Sequence, residues 1–394
     1  MSVKIGLFLG VTPPMGGVFQ YSQCLLRSVA ALSATDFTKV IAFTDDVWGP
    51  AISRLNLHGF RVPSVRWSLM LGALVTCVGF PIPLWHRVST VVDPAARRLR
   101  REACDLWIFS SYSCVCYQMP VPSVGIIHDL MHRYERRFAR DFRHGTYAWR
   151  ERVFGRVCQW TDAVLVDSEM GREHVVESYG VDQARVHALP YVSAGYGRSL
   201  PPGDLESKYR LPSKYIFYPA QFWQHKNHMR LIEAVAGLRT ELPDISLVLA
   251  GSKRREYESC RRAAVQLGVA DRVHFLGYVC DEDVHELYRR ARALVMPTFF
   301  GPTNIPPLEA FAAGCPVAVS KVYGMPAQVG DAALLFDPES VASIAEAIRR
   351  LWTDDGLCAM LKSKGMERHK ARGEREFNGR FAEIIRTILL RSRC

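Results

Sequence analysis

A chain of 394 residues exceeds what a single hydrophobic core ordinarily supports, so two domains are expected. With 48% hydrophobic and 23% charged residues it has an ordinary globular composition, which argues against a disordered protein. The net charge of +11 favours an anionic partner, and arginine is densest between Trp85 and Arg156, where 13 stand against 7 acids.

The first strand-like run covers residues 4–9 and is followed by Thr12, Pro13, Pro14 and the pair Gly16 and Gly17. Two glycines after a strand let backbone N–H groups approach an anion, and the next helix adds its positive end; a tight turn without ligand gives the same pattern. Further runs at 40–44, 106–110, 124–128 and 163–167 complete a first α/β domain. Between them, residues 68–85 carry no charge and are bracketed by Trp67 and Trp85. Gly72, Gly79, Pro81 and Pro83 argue against a continuous span. The readings left open are a buried or acceptor-lining segment, an in-plane membrane contact and a true span.

Arginines cluster next, at Arg97, Arg98, Arg100 and Arg101 and again at Arg133, Arg136, Arg137, Arg140 and Arg143. No recognisable nucleic-acid motif accompanies them, and a membrane headgroup or phosphate partner is expected instead. The 11 cysteines are scattered, and Cys114 and Cys116 lack a second pair, so two small apolar residues are favoured over a metal or redox site. With no signal peptide before the first strand, a reducing cytoplasm is expected. His128 ends the run 124–128; a single imidazole at a strand end, with a satisfied core histidine as the competing reading, is preferred to a metal site with Asp129 and His132.

Gly195, Gly197, Pro201, Pro202, Gly203 and Pro212 punctuate a linker, placed at 196–213 between a first domain of residues 1–195 and a second of 214–370. Strand runs at 215–219, 245–250, 273–277, 293–297, 316–320 and 333–336 alternate with helical patterns. Leu231, Ile232, Val235, Leu238 and Leu242 mark one buried helix face. This is the pattern of a doubly wound parallel sheet, whose ligands bind beyond the carboxyl ends of its strands. Lys226 follows the first of these strands and opens a helix, where it would meet a diphosphate unless it is merely a solvated lysine. Thr303, Asn304 and Ile305 follow the fourth strand at a proline-primed helix start, their N–H groups expected to be free for phosphate, with Glu309 one turn in. A carboxylate there accepts hydrogen bonds from both ribose hydroxyls. The basic, amphipathic residues 371–394 are expected to form a terminal helix.

Lys226-Asn227, Gly251, the run Val273-His-Phe-Leu-Gly277-Tyr278-Val, Leu287 to Ala291, and Pro306-Pro-Leu-Glu309 through Gly314-Cys-Pro-Val317 resemble, in order and spacing, the family 4 glycosyltransferases. The resemblance is close over residues 216–352 and looser at Gly16, Gly17, His128 and Asp129. It implies the α/β GT-B fold, two Rossmann-like domains facing a cleft with the terminal helix crossing back to the first. It also implies a retaining hexosyltransferase acting from a nucleotide diphosphate sugar without metal. Lys226 would stabilise the departing diphosphate together with Gly16, Gly17, Thr303, Asn304 and Ile305. His128 would contact the transferred sugar, Glu309 the ribose, the backbone near Tyr278 the base, and Gly251 and Gln221 would complete the donor site; no general base is nominated. A GDP-linked, mannose- or rhamnose-like donor and a cell-envelope glycan or lipid-linked acceptor are favoured, on the cytoplasmic face of the membrane. Two positions depart from the family: Gln221 stands where arginine is common, and Gly301 where a glutamate is common. The rival readings are a nucleotide-sugar epimerase on the same fold, for which clustered carboxylates are missing, and a non-enzymatic binder of anions or nucleic acid.

Overall fold

The computed structural model describes residues 2–111, 113–141, 146–193 and 205–391. Two compact units emerge: unit 1 holds Met1–His132, His144–Tyr191 and Glu374–Cys394, and unit 2 holds Arg133–Arg143 and Val192–Gly373. Residues 133–141 therefore pack with the second unit, which a division of the linear sequence at 195 does not reveal. Arg137 makes the reason visible: it pairs with Glu339, and its guanidinium lies 4.7 Å from the ring centroid of Phe299, while Phe138 stacks on that ring at 5.3 Å. A short helix, Leu205–Tyr209, occupies part of the expected linker and is anchored through the Tyr209 hydroxyl to Asp283 at 2.6 Å. The glycine- and proline-rich residues 194–204, Arg143 and the side chain of Arg140 lie outside the described residues.

Unit 1 is built on seven strands, β1 (Val3–Leu9), β2 (Phe37–Phe43), β3 (His58–Arg61), β4 (Leu106–Phe109), β5 (Ser123–Ile127), β6 (Ala163–Val166) and β7 (Val186–Ala188). Their order is β3-β2-β1-β4-β5-β6-β7, every pair parallel. Unit 2 has β8 (Ile216–Pro219), β9 (Leu247–Ala250), β10 (Val273–Gly277), β11 (Ala293–Met296), β12 (Val317–Ser320) and β13 (Leu334–Phe336), in the parallel order β10-β9-β8-β11-β12-β13. Central strands such as Leu106–Phe109, Ala163–Val166 and Ala293–Met296 are buried along their whole length. A parallel sheet covered by helices on both faces demands such unbroken apolar runs.

In each sheet the strand order reverses once, between β1 and β4 and between β8 and β11. There the loops leave in opposite directions and open a crevice. The helix Gly17–Ala31 follows β1, and the helix Ile305–Ala313 follows β11, ending at Gly314 in the left-handed region with φ 68°. The helix Glu374–Arg391 turns Phe377, Phe381, Ile384, Ile385 and Ile388 into unit 1 at helical spacing. It packs on the helix Gly17–Ala31, with Ser28 donating to Asn378 at 2.6 Å, and Arg380 reaches the carbonyl of Ala188 at 2.8 Å.

The uncharged segment forms two helices, Val65–Cys77 and Ile82–Val92, broken at Gly79 with φ 73°. Among the described residues no helix is long and apolar enough to cross a membrane, which removes the spanning reading. The two bracketing tryptophans also differ: Trp67 is 49% exposed, whereas Trp85 is 6% exposed and belongs to the core.

Candidate active site

In unit 2 the loop after β8 and the loop after β11 are stitched together at the switch point. The carbonyl of His225 accepts from Phe299 N at 2.9 Å and from Thr298 Oγ1 at 3.2 Å. Asn227 takes a left-handed turn at φ 60° and donates through Nδ2 to the carbonyls of Pro297 at 2.9 Å and Pro338 at 3.0 Å. Tyr218, buried at the end of β8, donates to the Lys226 carbonyl at 3.0 Å. This backbone pinning aims Lys226 across the crevice, its Nζ 3.3 Å from Asn304 Oδ1.

The first helical turn after β11 differs from expectation in one respect. The Asn304 N–H is not open to a phosphate, because it donates to Gln328 Oε1 at 2.9 Å while Gln328 Nε2 donates back to the Asn304 carbonyl at 2.5 Å. Pro306 and Pro307 carry no N–H, so Ile305 is the sole donor among the first three helical positions, with the half-buried Thr303 before it. Glu309 is buried and accepts from the Tyr288 hydroxyl at 3.0 Å, whose ring meets Phe217 edge-on at 5.0 Å.

Both departures from the family pattern have a structural counterpart. A Cβ at Gly301 would lie 2.0 Å from Asn304 Nδ2, so no glutamate fits while Asn304 keeps its place beside Lys226. Gln221 Oε1 accepts from Arg254 Nε at 3.2 Å and from Trp223 Nε1 at 2.9 Å, so a guanidinium borders the Gln221 side chain. Gly251 donates to the Gly277 carbonyl at 2.7 Å with φ 150°, and a Cβ there would stand 2.1 Å from the Ala220 carbonyl oxygen. Tyr278 follows β10 and is 68% exposed. A cavity of about 430 Å³ opens between Phe138, Trp223, His228 and Phe299; Lys226, Asn304 and Glu309 do not line it.

In unit 1, Gly16 adopts φ 62° and its carbonyl accepts from Phe19 N at 2.9 Å and Gln20 N at 3.1 Å, starting the helix in which Gly17 is the first residue. His128 leaves the end of β5 and faces Asp167 at the end of β6, Nδ1 to Oδ1 3.0 Å. Tyr21 meets the imidazole edge-on at 5.2 Å. Burial pulls this histidine down, but the Asp167 carboxylate, by charge and by hydrogen bond, leaves it above its ordinary 6.5. The neighbours that could have imitated a metal site turn elsewhere. Asp129 Oδ1 accepts from Arg150 at 2.7 Å, and His132 Nε2 lies 2.7 Å from Glu151 Oε1, with burial and then Arg150 lowering His132 to about 4. Cys114 and Cys116 are buried, and burial raises both thiols.

A family profile described as glycosyl transferases group 1 matches residues 206–368, and one described as glycosyltransferase family 4 matches residues 60–191. O-antigen chain mannosyltransferase B of Escherichia coli is 29% identical over 216 residues, 52% of this chain and 56% of that protein. Mannosylfructose-phosphate synthase of Agrobacterium fabrum is 25% identical over 254 residues, 60% of this chain and 54% of that protein. The chain thus spans about half the length of these curated relatives. Among solved structures, Anabaena HepE in complex with UDP and glucose superimposes with a TM-score of 0.74 at 16% identity, covering 98% of this chain and 100% of that one. Sucrose-phosphate synthase of Thermosynechococcus elongatus gives 0.73 at 18%, covering 98% and 99%. At these identities the structural likeness establishes the fold.

Proposed function

The chain belongs to the family 4 glycosyltransferases of GT-B fold, and from that premise we propose that it transfers a hexose, with retention of configuration, from a nucleotide diphosphate sugar to a hydroxyl of a glycan or lipid-linked acceptor. The observation that carries this reading is the pairing of Lys226 Nζ with the helix start at Asn304, in the crevice where β8 and β11 diverge. As the bond between the sugar and the diphosphate breaks, negative charge grows on the departing phosphate. A half-buried ammonium and the positive end of the helix Ile305–Ala313 oppose that charge where water screens it least. The acceptor oxygen bonds to the anomeric carbon on the face the phosphate leaves, and its proton passes to the leaving oxygen, so the chemistry calls for no protein base.

Glu309, oriented by Tyr288, is assigned to the ribose hydroxyls, and the chain near Tyr278 to the base. Gly16 and Gly17 are assigned to the donor phosphate and His128 to the sugar. The donor favoured is a GDP-linked, mannose- or rhamnose-like hexose, in keeping with the mannosyl names of two relatives. The working location is the cytoplasmic face of a membrane that carries the acceptor. A thermal-shift panel of GDP, UDP, dTDP and ADP tests the donor half, with GDP expected to stabilise most. The anomeric coupling of the product, read by NMR with the matching sugar nucleotide and a hydroxyl acceptor, tests retention. A chain stabilised by none of the four nucleotides is not a transferase of this kind.

A further inference from the structure

The helices Val65–Cys77 and Ile82–Val92 turn apolar stripes outward, and beside Val75, Ile82 and Trp85 their inward faces carry small polar residues. The positions turned into unit 1 include Ser68, Gly72, Thr76 and Ser89, all buried. Their polar groups are satisfied there: Ser68 donates to Asp93 at 2.5 Å, and Gln118 Nε2 donates to the Gly72 carbonyl and to Thr76 Oγ1, both at 2.9 Å. The outward stripes are Trp67, Met70 and Leu74 on the first helix and Leu84, Val88 and Val91 on the second, with exposures from 39% to 71%. Each set follows helical spacing, so each is one continuous apolar stripe where a surface helix ordinarily presents charge. Trp67 Nε1 donates to the Val92 carbonyl at 3.0 Å, which ties the start of one helix to the end of the other and sets the stripes side by side.

The charges on the two helices share one sign. No aspartate or glutamate occurs from Val47 to Val92, while Arg66 and Arg87 stand exposed on the two helices. Arg97 donates to the carbonyls of Thr90 at 2.9 Å and Val91 at 2.6 Å, holding its guanidinium at the edge of the stripe, and Arg100 and Arg101 are exposed beyond it. A second copy docked on the same face would bring these cations against one another. A bilayer with anionic headgroups offers the opposite charge together with an apolar layer for the stripe.

We propose that this two-helix face seats the protein in the plane of an anionic lipid bilayer. The proposal deepens the peripheral location given above, and lipid binding is measured without any transfer assay, so either reading can fail alone. The test is flotation of the full chain with phosphatidylglycerol vesicles at low and high salt, with phosphatidylcholine vesicles as control. Binding to the anionic vesicles, weakening with salt, is expected, together with quenching of tryptophan emission by brominated acyl chains that is lost in Trp67→Phe. The triple variant Met70→Ser, Leu74→Ser, Val91→Ser should bind at least about ten-fold less tightly, and Arg66→Ser with Arg87→Ser should remove most of the salt dependence. Both variants change exposed positions, and an unchanged circular dichroism spectrum and melting temperature report that they are folded. Absence of flotation at low salt overturns the proposal, and so does a concentration-dependent dimer abolished by the triple variant while vesicle binding is unchanged.

Discussion

His128 and Asp167 are brought together by strand register. Ile127 of β5 pairs with Val166 of β6, so the residue after each strand emerges beside the other, and Nδ1 of the imidazole lies 3.0 Å from the carboxylate. Burial opposes charging of His128; Asp167 and then Asp129 favour it, Arg150 opposes, Tyr21 packs against the ring, and the outcome is a histidine raised above 6.5. A raised value means the charged form is bound more tightly in the folded chain. The stability it adds is full below about pH 6.5 and is lost as pH rises through the folded value. In Asp167→Asn the larger upward push is lost and only that of Asp129 is left against burial and Arg150, so the imidazole should titrate lower than in the parent, with turnover down by about one to two orders of magnitude. The His128 Cε1 proton shift followed against pH in both proteins decides this; an unchanged midpoint in the variant removes Asp167 from the role.

Lys226→Ala should reduce turnover by on the order of 10² to 10³, the scale of losing one aligned stabiliser of developing charge. Because the lysine is half-buried and the loop is held through Asn227 and Tyr218, the melting temperature should barely move. Release of nucleoside diphosphate from the sugar nucleotide, measured beside the melting curve, separates the two effects, and a fully active variant would place the diphosphate elsewhere.

Glu309→Ala should chiefly weaken nucleotide affinity, because a ribose contact exists before and during bond breaking and shifts binding more than chemistry. The structure adds that Tyr288→Phe, which removes the hydroxyl donated to Glu309, should reproduce part of the loss at a cost of about 1 kcal/mol in stability. Calorimetry on Glu309→Ala, Glu309→Gln and Tyr288→Phe is expected to rank them in that order. Affinities identical to the parent in all three would take the pair out of the donor site.

Gly251→Ala should destabilise unit 2 by about 3 kcal/mol, since the added Cβ meets the Ala220 carbonyl oxygen at 2.1 Å and the backbone sits at φ 150°. A shift of the urea midpoint without a change in slope is the expected signature. A variant as stable as the parent would mean that this loop relaxes freely.

What the sequence makes legible follows from how each feature is encoded. The central strands announce themselves because burial on both faces requires unbroken apolar runs, whereas β3 and β7 sit at the sheet edges. Half-exposed His58-Gly-Phe-Arg and the three-residue Val186–Ala188 carry no such signal. Lys226 and Glu309 are nominated from sequence because each follows a strand at a helix start. Tyr288, Gln328 and Arg254 escape such a nomination because they reach Glu309, Asn304 and Gln221 from other elements, and only tertiary packing reveals Gln328 closing the Asn304 N–H. The apolar segment at 68–85 was conspicuous by its lack of charge, but composition does not say which side of a helix faces outward. Ser68 and Thr76 turn inward while Met70 and Leu74 turn out, a reversal visible only once Asp93 and Gln118 are in place.

The helix Glu374–Arg391 also fixes an order of events during synthesis. It supplies Phe377, Phe381 and Ile385 to the interior of unit 1, yet it is translated after every residue of unit 2. The domain begun first is therefore the last to be finished: its growing chain waits on the ribosome with the surface of the helix Gly17–Ala31 uncovered while the second domain emerges and folds. A chain cut after Gly373 keeps every residue of the second unit but leaves the first without its last helix. Exposed apolar surface on the nascent chain, and hence its dependence on chaperones, should be concentrated in residues made at the start of translation.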